Sequence, residues 1–159
     1  MNVTARLATS DDVPLLACLY AELEAEMIPL HPMWPKADGL EHPIVDSLAD
    51  CIVGDDVVVL IGEIDSVGFG FMIGFVEPLL ERVGEVIGAV RYVFTHLEAR
   101  EVGVGEAMLD QMLDELRTRG IVRFDAHVLP GHRLVKNFFE SGGFSARSIV
   151  MHHDDLRVR

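Results

Sequence analysis

The apolar residues of the chain follow two different periods, which predicts a mixed α/β structure. A period of two or a short β-branched run is typical of strands, whereas apolar residues at i, i+3, i+4 and i+7 are typical of amphipathic helices. The first pattern predicts strands at residues 3–7, 57–61, 67–76, 86–95, 122–128 and 148–152. The second predicts helices at residues 13–27, 44–52 and 133–141, and one between Gly103 and Gly120.

These elements follow one another in the order β-α-α-β-β-β-α-β-α-β, and no linker or repeat divides them. We therefore expect one domain over residues 1–159, an α/β fold with a mixed, largely antiparallel sheet flanked by helices. The helix after residue 103 carries the one parallel crossover, since parallel neighbours need a long connection. Residues 29–43, with four prolines, fit neither period and are expected to form a loop around Trp34.

Length and composition predict a soluble domain with its own core. A chain of 159 residues, 50% of them hydrophobic, can bury roughly 68–70% of its unfolded surface. No apolar run reaches the roughly 18 residues that span a bilayer, so we expect neither a membrane span nor an export signal. Cys18 and Cys51 lie in apolar helical patterns, and we expect both to be reduced core residues of a cytoplasmic protein.

The charge of the chain is strongly acidic and unevenly distributed. Thirteen Lys and Arg stand against 26 Asp and Glu, a formal net charge of −13. This argues against nucleic acid as a partner, because phosphate binding depends on Lys and Arg. Residues 1–80 carry −12 and residues 81–159 carry −1. We therefore expect an anionic ligand in the second half and a cationic one near the first, with a purely solubilising acidic surface as the alternative.

The segment from Arg100 to Glu106 places glycines between the end of a predicted strand and the start of a helix. Free N–H groups at a helix N-terminus carry partial positive charge, and glycine lets an anion approach the backbone, so a diphosphate is the expected ligand. A simple turn is one alternative. A dinucleotide site is another: Asp125 lies 20 residues beyond Gly105, but Met108 replaces the third glycine. A P-loop is excluded because its Gly-Lys-Ser/Thr sequence is absent.

Two motifs in the second half of the chain resemble those of a known superfamily. Arg100-x-x-Gly103-x-Gly105 resembles the Arg/Gln-x-x-Gly-x-Gly/Ala signature of the GNAT superfamily of N-acetyltransferases. About 40 residues later, the segment from Asn137 to Phe144 is similar to the family's late helix and terminal Gly-Phe. The predicted order of elements also matches, so the resemblance covers nearly the whole chain.

The resemblance implies an acyl-coenzyme A site and direct transfer of an acetyl group to a primary amine, with acetyl-coenzyme A as co-substrate and no metal ion. Backbone N–H groups of the glycine loop would hold the pyrophosphate, with Arg100 at the start of the loop. The preceding strand would pair with the pantetheine arm through Phe94 and Thr95, and one strand amide would polarise the thioester carbonyl. The implied loop residues are Val102, Gly103, Val104, Gly105 and Glu106.

The chain departs from the family pattern where a proton must be moved. Many members place a tyrosine on the late helix to protonate the leaving thiolate, and Phe139 occupies the matching position. His127, on the polar face of its strand, and His132, which stands where the family has an asparagine, are the candidate bases for the amine. A packed or solvent-facing histidine is the alternative for each. Trp34 is expected either to form a wall of the acceptor pocket or to cap the core.

Three functions therefore stay open at the level of the sequence. The first is an acetyl-coenzyme A-dependent N-acetyltransferase for a primary amine, which the acid excess of the first half predicts to be cationic. The second is a catalytically idle acyl-coenzyme A-binding or regulatory module, which Phe139 would explain. The third is a dinucleotide-binding protein. An exposed strand edge would permit a homodimer, and neither a membrane nor nucleic acid is expected as a partner.

Overall fold

A single sheet runs through the centre of this computed structural model, which describes residues 1–79 and 84–156. Its strands in that part of the chain are β1 (Val3–Leu7), β2 (Val57–Ile64), β3 (Val67–Pro78), β4 (Val86–Thr95) and β5 (Phe124–Ala126). They lie in the order β1-β2-β3-β4-β5. The first four pair as antiparallel neighbours, and β5 pairs in parallel with β4.

Helices cover both faces of the sheet. They are α1 (Val13–Met27), α2 (Trp34–Ala37), α3 (Ile44–Val53), α4 (Val104–Thr118) and α5 (Arg133–Ser141). One buried cluster joins α1, α2 and α3 to the sheet, and a second joins α4 and α5 to the opposite side. We call these two sides the α1 face and the α4 face.

An ion pair fixes the start of α1 against the edge strand. Both guanidinium nitrogens Nη1 and Nη2 of Arg6, on β1, donate to the carboxylate of Asp12 at 2.8 Å. The backbone N–H of Thr9 donates to the same carboxylate at 2.8 Å. These hydrogen bonds satisfy an acid that is only 9% exposed, and the Arg6 guanidinium holds the pKa of Asp12 below its usual value.

The predicted fold class is confirmed, and most elements lie where the periodicity places them. The structure corrects two of them. Residues 148–152 do not form the predicted last strand. Their apolar side chains Ile149, Val150 and Met151 are 72%, 87% and 87% exposed, so no core face binds the segment. The strand predicted at 122–128 is limited to Phe124–Ala126, because β4 pairs with it only over three residues.

Two further expectations from the first half of the chain need correction. Cys51 is buried as predicted, but Cys18 is exposed, because α1 turns Leu16, Leu19 and Tyr20 towards the sheet instead. Both cysteines are free thiols. The proline-rich loop also contains the short helix α2, which begins at Trp34.

None of the helices in the described part of the chain is both long enough and apolar enough to cross a membrane.

Candidate active site

The sheet opens between β4 and β5. The two strands pair from Gly88 to Val90, and the last backbone contact is the N–H of His127 donating to the carbonyl oxygen of Val90 at 2.9 Å. Beyond this point β4 continues to Thr95, while the chain after residue 127 leaves the sheet. Among the described strands, the second half of β4 therefore has no neighbour at this edge.

A bulge in β4 lies where the opening begins. On β3, Gly74 is opposite Val90 and Ile73 is opposite Tyr92, so Arg91 is an extra residue between two paired positions. Such a bulge bends a strand and increases its local twist. The sequence gives no local signal for it, because it depends on the register between two strands.

The register also shows which amides of β4 face the opening. The N–H of His96 donates to the carbonyl oxygen of Phe69, on the β3 side, at 2.7 Å. Because backbone groups alternate along a strand, the amide of Phe94 also faces β3, and those of Val93 and Thr95 face the open edge. The expected backbone contact of Phe94 with a pantetheine arm is therefore wrong, because its amide faces β3. Val93 joins the candidate site through its backbone instead, and the sequence pattern did not single it out.

The glycine loop leads from β4 into an uncapped helix N-terminus. Gly103 has φ of +99°, a left-handed conformation that favours glycine, and it is the residue before α4. Its carbonyl oxygen accepts the N–H of Ala107 at 3.0 Å, and no side chain caps the helix. The N–H groups of the first turn, from Val104 to Glu106, therefore lack helical partners. Apart from Gly103 and its two chain neighbours, no heavy atom of the described residues lies within 4 Å of the place where a Cβ of Gly103 would be, which leaves room for an anion.

Gly105 has a packing role beside its place in the loop. A Cβ at this position would lie 3.0 Å from the ring of Phe138, so the absence of a side chain lets α5 pack against the start of α4. Phe139 is 3% exposed and stacks edge-on against both Phe138 and Phe144. The late Gly-Phe motif thus closes the core on the α4 face.

A carboxylate from α1 connects the loop to one of the candidate bases. Glu26 accepts from Nη2 of Arg100 at 2.9 Å and lies 3.8 Å from Nε2 of His132. Arg100 also donates from Nε to the carbonyl oxygen of Thr95 at 2.8 Å and lies over the Phe94 ring. The side chain of Arg100 is therefore held beside the strand, and Glu26 is a site residue that the sequence pattern did not reveal.

The other candidate base, His127, lies in a different polar environment at the end of β5. Phe124 and Ala126 pack in the core of the α4 face, so the alternating residues Asp125 and His127 point to the α1 face. Although His127 is partly in contact with solvent, desolvation by the surrounding protein lowers its pKa, and the Arg91 guanidinium lowers it further. Arg147 holds the pKa of Asp125 below its usual value through a hydrogen bond.

His132 also has a lowered pKa, but for a different balance of reasons. Its side chain is only 12% exposed, and burial favours the neutral imidazole. Glu26 opposes this shift and Arg100 adds to it. Both histidines are therefore predominantly neutral near pH 7, since an unperturbed histidine already titrates at about 6.5.

Trp34 lies in the core rather than on an open wall. It is 4% exposed, with its ring 6.2 Å from that of Tyr20 and 6.1 Å from that of Tyr92. The Tyr92 hydroxyl donates to the backbone carbonyl of Asp38 at 2.6 Å, which ties the proline-rich loop to the bulged part of β4. The expected role of Trp34 towards an acceptor stays a prediction.

No group of three or more His, Cys, Asp and Glu side chains is arranged to hold a metal ion in residues 1–79 and 84–156.

Solved structures share this fold, although sequence comparison finds no relative. No protein-family model matches the chain, and no curated protein matches it. A ribosomal-protein-alanine N-acetyltransferase from Brucella melitensis biovar Abortus 2308 is 19% identical, with a TM-score of 0.69 over 96% of this chain and 100% of that one. A predicted acetyltransferase with acetyl-CoA from Clostridium acetobutylicum is 15% identical, with a TM-score of 0.70 over 96% of each chain.

The same fold also occurs in a protein that is described as a regulator and not as an acetyltransferase. A transcriptional regulator from Bacillus halodurans C-125 is 19% identical, with a TM-score of 0.75 over 96% of this chain and 100% of that one. The fold is thus that of the GNAT acetyltransferases, as the resemblance of the motifs implied.

Proposed function

We propose that the protein is an acetyl-coenzyme A-dependent N-acetyltransferase that transfers an acetyl group directly to a primary amine. The observation that carries the proposal is an open strand edge followed along the chain by an uncapped helix N-terminus, which together we call the groove. The open edge of β4, with the amides of Val93 and Thr95, leads to the uncapped N-terminus of α4 at Gly103. This arrangement suits an extended amide-containing arm that ends in a diphosphate.

The cofactor contacts would be mostly made by the backbone. Val93 and Thr95 would pair with the pantetheine arm, and the N–H groups from Val102 to Glu106 would receive the diphosphate. Phe94 would contribute no backbone contact, because its amide faces β3. Glu106 is exposed and carries a negative charge, so it would contribute its backbone N–H rather than its side chain. Arg100 would contribute to cofactor binding at the start of the loop.

In the proposed reaction the amine nitrogen forms a bond to the thioester carbonyl carbon, the carbon–sulfur bond breaks, and coenzyme A leaves as a thiolate. The amine must lose a proton to a base. His127 is the favoured base because of its position at the start of the open edge. Its backbone N–H donates to the carbonyl oxygen of Val90, the residue directly before the bulge at Arg91. His132 is the second candidate, but it lies beside Arg100, at the diphosphate end of the groove.

No tyrosine is available on α5 to protonate the thiolate, since Phe139 is buried in the core. The proposal therefore leaves protonation of the thiolate to water. A thiol is already a fair leaving group, so the reaction proceeds without a dedicated acid, at a cost in rate.

Thermal unfolding and thiol release test this proposal. Acetyl-coenzyme A at 100 times its dissociation constant should stabilise the protein by about 2.7 kcal/mol, and an amine panel should release free thiol. Stabilisation without thiol release on any amine would favour the idle binding or regulatory module. Two observations motivate that alternative: Phe139 in place of a tyrosine, and the same fold in the Bacillus regulator. Stabilisation by NAD and not by coenzyme A would favour the dinucleotide-binding alternative.

The remaining expectations from the sequence are proposals of the same kind. The acidic first half would attract the acceptor as its ammonium ion, with Glu22, Glu24 and Glu26 on α1 contributing to the field. The outer edges of β1 and β5 are the places where a homodimer would form through strand pairing. A cytoplasmic location agrees with the two free cysteines.

A further inference from the structure

A cavity at the start of β4 and β5 has no role in the groove described above. It has a volume of about 450 Å³ and lies at the end of the sheet, where β3 ends and β4 and β5 begin. Its walls combine apolar and charged side chains: Leu79, Ile87, Phe124, Arg123, Asp125 and Arg147.

The two arginines of this cavity have N–H groups that their ion pairs do not use. Arg147 uses Nε and Nη2 on the two carboxylate oxygens of Asp125, and Arg123 uses Nη1 on Glu85, at 3.2 Å. A guanidinium has five N–H donors. Within the described residues, Nη1 of Arg147 and the nitrogens Nε and Nη2 of Arg123 donate to no protein group, and they can bind an anion. Both arginine side chains are more than half exposed, and a ligand reaches them without any rearrangement of the core.

The geometry of β5 connects the cavity to the candidate base. Asp125 lies at the centre of β5 opposite Ala89, and Arg123 and His127 directly flank the strand. Their backbone hydrogen bonds to Gly88 and Val90 continue the pairing, so the alternation places the three side chains on the α1 face. At about 3.3 Å per residue, Asp125 lies roughly 7 Å and Arg123 roughly 13 Å along the strand from His127. An acceptor whose nitrogen lies at His127 would therefore extend its other end into the cavity.

We propose that this cavity is the acceptor subsite, and that it binds the carboxylate of an amine acceptor. The substrate class is a small primary amine with an apolar body and a carboxylate roughly 7–13 Å from the nitrogen along the strand, as in a short peptide. The arginines bind the carboxylate, the apolar walls contact the body, and the acidic half of the chain attracts the ammonium. This inference rests on the proposed N-acetyltransferase function and names its substrate.

The test compares two acceptors that differ only in the carboxylate. The tripeptide Gly-Gly-Leu and its C-terminal amide share the same amine, and an extended tripeptide spans about 10 Å. With saturating acetyl-coenzyme A, kcat/KM should be about tenfold higher for the free acid, mainly through KM, because the carboxylate gains charge-assisted hydrogen bonds. Arg147→Gln should remove most of this preference and change kcat/KM for the amide less than twofold. Arg119→Gln, at an exposed arginine whose Nη1 donates to the backbone carbonyl of Asp55 and which does not line the cavity, should keep the preference.

A binding measurement separates this proposal from the proposed function. Calorimetry of each peptide with the protein and coenzyme A requires no turnover. Tighter binding of the free acid, lost in Arg147→Gln, supports the subsite even if no amine is acetylated. Equal binding and equal kcat/KM for the two peptides overturn the subsite and leave the acetyltransferase proposal intact. An equal loss for both peptides in Arg147→Gln also overturns it, since the arginine then acts only through Asp125.

Discussion

The two faces of the sheet differ in how closely a helix approaches the strands. On the α4 face, glycines lie beneath the side chains of α4. A Cβ at Gly62 would lie 2.6 Å from Cγ1 of Val104, and one at Gly88 would lie 2.6 Å from Cδ1 of Leu116. Real Cβ atoms do not come so close to other heavy atoms, so the glycines let α4 approach the sheet closely. This face is packed with apolar side chains and has little room for change.

On the α1 face, the end of the sheet near β5 carries paired charges instead. Arg91 donates to both carboxylate oxygens of Glu77, at 2.6 and 2.9 Å, and Arg147 donates to both oxygens of Asp125. These side chains are partly exposed. The comparison indicates that the α4 face holds the strands and the glycine loop rigidly, while the α1 face presents the groups that meet an acceptor.

The largest expected effect is the loss of the proposed base on the α1 face. His127→Gln should lower kcat about 100-fold to 10,000-fold, the usual contribution of general acid–base catalysis. The melting temperature should stay within a few degrees, because the side chain is solvent-exposed. Steady-state kinetics on an acetylated amine, with thermal unfolding of the same sample, gives both numbers.

His132→Gln is the matched control for this substitution, since it removes the second candidate. If kcat falls in His132→Gln and persists in His127→Gln, the base lies at the diphosphate end of the groove. The assignment of the chemistry to the end of β5 would then be wrong.

The next largest effect should come from filling a glycine on the α4 face. Gly88→Val places a branched side chain against Leu116, near the end of α4 away from the glycine loop, and overpacking of this kind costs about 1–3 kcal/mol. We expect a lower free energy of unfolding in urea and an unchanged kcat per folded molecule. Thr4→Val, at an exposed position on β1, controls for a valine added to the sheet. A loss of kcat without a loss of stability would contradict the separation of the two faces.

A smaller effect concerns pH. The proposed base acts in its neutral form, and desolvation lowers its pKa. Activity should therefore persist as pH falls to the ordinary histidine value of about 6.5 and reach half its maximum only below it. The measurement is the pH profile of kcat at saturating acceptor, where binding of the free amine no longer limits the rate. An acid limb with a midpoint above 7 would exclude His127 as the base.

The elements of the fold follow from local patterns. Periodicity correctly predicts both ends of α1, β4 and α5, because each has an apolar stripe that repeats regularly and a nearby breaking residue. The glycine loop is equally local, since Gly103 is required by its left-handed conformation. The tail at 148–152 is different: its apolar run predicts a strand, but the sheet offers no partner that buries it.

The candidate site is predictable only where it depends on the backbone of one segment. The bulge at Arg91 comes from a register shift between β3 and β4, and no single strand encodes it. Glu26 and Arg100 form an ion pair although 74 residues separate them in the sequence. The position of Glu26 on α1 does not distinguish it from a solvent-exposed acid. Contacts of this kind depend on how α1 lies on the sheet, which periodicity leaves open.

The smallest expected effect tests the contact where the α1 face meets the glycine loop. Glu26→Gln removes a carboxylate 2.9 Å from Arg100 and close to the proposed diphosphate site. Because like charges repel through a high dielectric, KM for acetyl-coenzyme A should fall about twofold at low ionic strength, and the difference should vanish in high salt. Asp114→Asn, on the exposed side of α4, removes an equal charge away from the loop and should leave KM unchanged. An increase of KM in Glu26→Gln would show instead that the carboxylate positions Arg100, so that α1 helps to build the cofactor site rather than opposing it.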